Sequence, residues 1–344
     1  MQLRMKAMIC SLFFAVMSCA YLMAQGDGGY HLLHEYKLGG DTGWDYLTMD
    51  AASRRLYVTR GTHVQVVNID SGKVEGDITD LKGVHGVALD KANNKGFISD
   101  GRDNSVVVFD LKSLKQTGKV AAGTNPDAIL FDPYSKRVFA FNGRSNNATA
   151  IDSKNNNVAG SIDLGGKPEF AATDGKGKIF VNLEDKSALV EIDSKELKVM
   201  DTWPLAPAEG PSGLAIDADR EVLFSGCDNQ KMAIVDGNTG KVITTVPIGK
   251  GVDATAFDKS VKQAYSSNGE GNITVAKEDS PTSFSVAATV PTKRGARTMT
   301  VDEKTHDLIT VTADFEPAPA AVPGQPRQRP KMIPDSFVVL VYGK

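Results

Sequence analysis

Cysteine, tryptophan and histidine are all scarce in this chain of 344 residues, and each shortage excludes something. There are three cysteines, and two of them (Cys10 and Cys19) fall in an N-terminal apolar run; Cys227 is left alone, so no disulfide framework is available. Two tryptophans, Trp44 and Trp203, are too few for the tryptophan docking repeats of quinone-dependent propeller dehydrogenases. The five histidines (His31, His34, His63, His85 and His306) are too scattered for a multi-copper cluster. An excess of positive charge is missing too, with 39 basic against 42 acidic residues and a net charge of −3. That balance argues against nonspecific nucleic-acid binding, which rests on basic surface.

Beyond the N-terminus there is no long apolar run. Residues 1–24 read as a secretory signal peptide: Arg4 and Lys6 precede the apolar run Ala7–Met23, and cleavage is expected after Ala24. The run is short for a membrane anchor, which needs roughly 20 apolar residues. Val16-Met17-Ser18-Cys19 resembles a lipoprotein site, but the residues after Cys19 stay apolar, which disfavours anchoring there. The expected location is periplasmic or secreted, with no transmembrane segment after signal removal.

What is abundant is repetition. Pro126–Asp132, Val138–Asn142 and Ala148–Asp152 read as three short strands, the first and third closed by aspartate. The same sentence recurs along the chain. The aspartate ending each first strand is Asp50, Asp90, Asp132, Asp174, Asp217, Asp258 and Asp302, at spacings of 40, 42, 42, 43, 41 and 44 residues. A period near 40 with several strands per unit predicts a β-propeller. Tyr30–Leu38 is an orphan strand ahead of the first repeat, and the seventh repeat stops one strand short. Pairing the two would close the ring and leave no open edge at the seam. The expectation is therefore all-β: a seven-bladed β-propeller of four-stranded antiparallel blades over residues 25–344, closed by its N-terminal strand and expected as a monomer. A proline-rich loop, 315–334, is inserted in blade seven, where it is placed to act as a lid, dock a partner or stay disordered.

Within the repeat, both aspartate columns sit at tight turns and read as Asx-turn residues. Residues two and four places before the column aspartate are mostly small, as in Ala88 and Gly86 or Ala215 and Gly213, so that blades can interlock near the axis.

Arg55-Leu56-Tyr57-Val58-Thr59-Arg60, Val138–Asn142 and Ser105–Asp110 resemble the YVTN-type β-propeller repeat, and the chain after the signal resembles YncE-like proteins over about 300 residues. Tyr57-Val58-Thr59-Arg60 comes nearest to the four-letter motif, which no repeat spells in full. The resemblance implies the propeller fold and export. It also raises nucleic-acid binding as a family property, against which the acidic balance stands.

Function is expected where the columns stop being regular. The residue five places before each column aspartate should lie at the channel mouth, and it is polar every time: Asp45, His85, Asp127, Glu169, Ser212, Asp253 and Arg297. Four acids face one arginine. Carboxylates with an imidazole suit a divalent cation, for which His85, Asp127, Glu169 and Asp253 are the candidate ligands, and Arg297 could orient an anionic group. Arg60, Asp100, Asn142, Cys227, Asn268 and Thr312 form a second column at the second-strand ends, with Arg102 and Arg144 just beyond. Of these, Asn142, Asn268, Arg102 and Arg144 are candidate ligand contacts. Cys227, without a neighbouring His or Lys, reads as a buried apolar residue. The expected function is that of an exported binding or scaffold protein holding a small polar ligand, a cation or a protein partner at the mouth. The alternative is a metal-assisted hydrolase or lyase acting there.

Overall fold

The repeat Pro126–Asp132, Arg137–Asn142, Asn147–Asp152, Val158–Asp163 folds as one antiparallel sheet whose strands follow each other in sequence order. A computed structural model describes residues 26–318 and 330–344, and six of its seven sheets have that simple order. The seventh is assembled from both ends of the chain. It contains Met299–Asp302, Asp307–Thr312 and Val338–Gly343, and its fourth strand is His31–Lys37, paired antiparallel with Val338–Gly343. The orphan N-terminal strand thus closes the ring, and the fold is a seven-bladed β-propeller.

Period-two strands give each blade two apolar faces, so every blade buries against both neighbours. The buried side chains fall into seven clusters, each between one adjacent pair of blades. Tyr57, Ile98 and Phe109 lie between blades one and two, and Val58, Phe337 and Val339 lie at the seam between blades seven and one. The remaining five clusters fill the other junctions. Cys227 is fully buried in one of them, and burial pushes its thiol up to about 11, as an unreactive core cysteine requires.

The aspartate columns behave as turn residues. Asp174 accepts from the backbone N–H of Lys176 and Gly177, and Asp193 from Lys195 and Glu196. Several first-column aspartates also stitch blades together: Lys91 reaches Asp50 at 2.6 Å, Arg54 reaches Asp302 at 2.6 Å and His306 reaches Asp258 at 2.7 Å. A second set of clasps opens the second strand of successive blades. Arg55 donates to Leu111 O, Lys95 to Ser153 O and Lys154 O, and Arg137 to Ser194 O and Lys195 O.

Arg60 has a different task from the one its position suggested. Its guanidinium is buried at the seam, stacks 3.7 Å over Phe337 and donates to Gly39 O, Thr42 O and Gln65. Burial without a carboxylate in contact lowers its pKa to about 10. It clips the linker behind the closing strand to blade seven.

Residues 1–25, including the expected signal peptide and Cys19, lie outside the described residues, as do 319–329 of the proline-rich loop. The described ends of that loop form a ladder: Phe315 bridges Met332, Glu316 N donates to Lys331 O, and Ile333 N donates to Asp314 O. Among the described residues no helix is long and apolar enough to cross a membrane.

Candidate functional site at the channel mouth

The inner strands carry the ring of polar residues, and a local irregularity aims them. In blades two to six the register between inner and second strands breaks between Val84 and Val87, Pro126 and Ile129, Pro168 and Ala171, Pro211 and Leu214, and Val252 and Thr255. The ring residue is the first of the two residues skipped each time. A break of this kind releases a residue from ladder pairing and redirects its side chain, here toward the axis. The backbone is then pinned from the neighbouring blade: Ser99 donates to Asp127 O at 2.5 Å, Asn182 to Ser212 O at 2.9 Å, Ser212 to Asp253 O at 3.0 Å, and Ser267 to Arg297 O.

Blades one, two and three bring Asp45, His85 and Asp127 together. His85 Nδ1 lies 2.6 Å from Asp45 Oδ2 and 3.4 Å from Asp127 Oδ1, and one ligand atom from each residue falls within 4.8 Å of the others. Gly101 makes the space, since a Cβ there would stand 2.7 Å from His85 Nε2. On blade four, Lys167 binds Glu169 at 2.7 Å and also Glu184. On the far side Asp253 faces the Arg297 guanidinium at 4.0 Å. Side-chain exposure separates the groups: Asp127, Glu169 and Asp253 are 17–19% exposed, while Arg297 at 53% reaches outward.

Tyr46 and Phe170 follow the ring positions of blades one and four, and their rings pack with centroids 4.3 Å apart and planes tilted by 33°. Those blades are not neighbours, so the contact crosses the axis and floors the mouth. The channel is a cup lined by acids above an aromatic base.

Crowding acids over an apolar floor raises their proton affinity. Burial, reinforced by the charges of Asp45 and Asp127 and opposed by Arg297, pushes Asp253 up to about 7. Asp127 and Glu169 both move up through burial; the charge of Asp45 adds to the rise of Asp127 and that of Asp127 to the rise of Glu169, with His85 and Lys167 respectively pulling the other way. Burial alone would lower the pKa of His85, but the Asp45 hydrogen bond and the Asp127 charge outweigh it and the net shift is upward. The Tyr46 phenol is pushed well up by burial and by all four nearby carboxylates, so it stays neutral.

Of the four expected cation ligands, His85 and Asp127 belong to the compact group. Asp45, expected only as a ring member, supplies the third ligand atom, while Glu169 is held by Lys167 and Asp253 faces Arg297. Ser212 spends its hydroxyl on a backbone carbonyl. Asn142 and Asn268 are fully buried, and their amides donate to Asn147 and Thr149 and to Asn272 and Thr274. That gives both a role inside the blade instead of at the mouth. Arg102 and Arg144 are exposed, each one residue beyond a glycine that borders the ring. Lys167, Tyr46 and Phe170 were not singled out from sequence, although Tyr46 and Phe170 are visible as the two aromatic exceptions in a column of small residues.

No protein-family model and no curated protein matches the chain. Solved structures do. A Kuenenia stuttgartiensis hydrazine synthase chain is similar at 16% identity and a TM-score of 0.68, over 78% of this chain and 92% of that one. A chain of a mitotic checkpoint complex is similar at 14% identity and a TM-score of 0.70, over 90% of this chain and 96% of that one. At such identities the likeness is one of fold.

Proposed function

We propose that this protein is an exported binding propeller, related to YncE-like YVTN-repeat proteins, that captures a divalent cation at the channel mouth. Asp45, His85 and Asp127 are its ligands, and Glu169 and Asp253 supply further negative charge. The observation that carries the reading is the convergence of three ligand-bearing side chains from three separate blades onto a floored, partly buried cup. Carboxylate oxygens with one imidazole nitrogen suit manganese or zinc better than a soft ion. Capture would release protons, because the Asp45 hydrogen bond raises the proton affinity of His85 and burial raises that of the neighbouring carboxyls. Metal content of the purified protein, with titration calorimetry of Mn²⁺ on wild type, Asp127→Ala and Asp253→Ala, tests it. Loss of at least tenfold in affinity for Asp127→Ala and a smaller loss for Asp253→Ala are expected; unchanged affinity in both variants would sink the proposal.

A second reading rests on the same raised proton affinities. A carboxyl titrating near neutrality, as Asp253 does, is suited to general-base work beside a bound metal ion. Metal-dependent turnover of lactones or other hydrolysable esters, lost in Asp253→Asn, would favour a hydrolase over a binding protein.

A further inference from the structure

Beside the acidic cup lies a second concavity of different chemistry. It has a volume of about 830 Å³, within the range of small-molecule sites, and sits between the stem of the proline-rich loop and the segment joining blades six and seven. Its lining includes Lys293, Arg294 and Arg297 on one side of the chain path and the stem residues Phe315 and Pro317 on the other; Trp44 adds a second aromatic group. Trp44 is itself held between Phe315 and Phe337, at ring distances of 6.1 and 5.2 Å.

The cations are not equally available. Lys293 is committed to Glu35 at 2.8 Å. Arg297 stands 4.0 Å from its nearest carboxylate, beyond hydrogen-bond reach, and Arg294 is exposed with no ion pair among the described residues. Asp314 and Glu316 line the stem side, which disfavours a ligand with negative charge at both ends or a polyanion such as a phosphate ester. The stem is tightly placed: Gly295 has a φ of +82°, and a Cβ there would meet the Phe315 ring at 2.9 Å. The glycine lets the guanidinium wall and the aromatic wall approach.

We propose that this pocket binds a small organic monocarboxylate with a planar apolar body, its carboxylate on Arg294 and Arg297 and its ring or conjugated chain against Trp44 and Phe315. A guanidinium pair recognises a carboxylate through fork-shaped, charge-assisted hydrogen bonds, and the aromatic faces supply area without needing further polar partners. This site stands apart from the cation site, although Arg297 borders both.

The test is calorimetry with trans-cinnamate and, as the uncharged match, trans-cinnamamide, on the full chain in EDTA so that no cation takes part. A saturable isotherm for cinnamate is expected, with the amide at least tenfold weaker. Arg294→Ala and Phe315→Ala should each weaken cinnamate severalfold, with circular dichroism unchanged. Absence of saturable binding by cinnamate, equal binding of acid and amide, or unchanged affinity in both variants would overturn the proposal. The acid–amide comparison on the wild type decides even if a variant misfolds. Because the measurement is metal-free, its failure leaves the cation reading standing.

Discussion

Tyr46 and Phe170 lie three blades apart and pack with ring centroids 4.3 Å apart and planes tilted by 33°, a contact across the axis from positions next to Asp45 and Glu169. This one contact spans the axis beside the ring of acids. It also adds apolar surface beside carboxyls whose proton affinity burial raises.

Removing half of that contact should be costly. Phe170→Ala leaves a cavity under the ring and is expected to destabilise by about 2–4 kcal/mol, toward the lower part of the range for large-to-small aromatic changes because the ring is only half-buried. Tyr46→Phe, which keeps the stack, should cost under about 1 kcal/mol. Urea denaturation of both variants checks the pair, and equal costs would mean that the stack is not what Phe170 contributes.

Stability should depend on pH in a direction unlike that of a protein rich only in paired surface carboxylates. Asp253, Asp127 and Glu169 have folded pKa values above their unfolded values of about 4, so between those limits the folded state binds more protons. Their contribution is fully present near pH 4 and is lost as pH rises through about 7 for Asp253. His85, with its folded pKa also raised, loses stability in the same direction. In metal-free buffer the melting temperature of the wild type relative to Asp253→Asn should therefore fall from pH 5 to pH 8. The variant should be the more stable at pH 8, by on the order of 1–3 °C. A difference that does not change with pH would remove the crowded-carboxyl account.

Arg137 clasps blade three to blade four through Ser194 O and Lys195 O, both at 2.8 Å. Arg137→Ala should cost about 1–2 kcal/mol, the roughly 1.5–3 kcal/mol of bonds to charged groups being reduced at a partly exposed site. The measurement is the urea midpoint at constant slope; a cost below about 0.3 kcal/mol would reduce the clasps to surface decoration.

At the seam, Arg60 over Phe337 is a sharper case. Arg60→Lys keeps the charge but loses the planar fork that reaches Gly39 O, Thr42 O and Gln65 together. A loss of about 2–3 kcal/mol is expected, with faster proteolysis near the closing strand His31–Lys37. Unchanged proteolysis would show that the linker does not depend on this clip.

Much of this was legible in the chain because propellers are built by repetition. The column from Asp50 to Asp302 counted the blades, and Tyr30–Leu38 announced the closure at the seam. The polar ring was found because Asp45, His85 and Asp127 keep a fixed offset from those aspartates. What stayed hidden depends on contacts between repeats that no period encodes. Tyr46 and Phe170 meet across the axis, so neither blade's own pattern reveals the other. Arg60 and Asn142 stand in a column that the repeat places near the mouth, yet its members are buried, and the strand end turns one into the seam and the other into its own blade. Glu169 was expected to be free for a cation, but Lys167, two residues earlier and present at that offset only in blade four, holds it.

The central claim is that Asp45, His85 and Asp127 together hold a divalent cation, and its most direct test is anomalous diffraction from crystals equilibrated with Mn²⁺. The account predicts one peak at the channel mouth, within bonding distance (about 2.0–2.3 Å) of a carboxylate oxygen of Asp127 and a ring nitrogen of His85. A peak elsewhere on the molecule, or none at the mouth at saturating Mn²⁺, would contradict it.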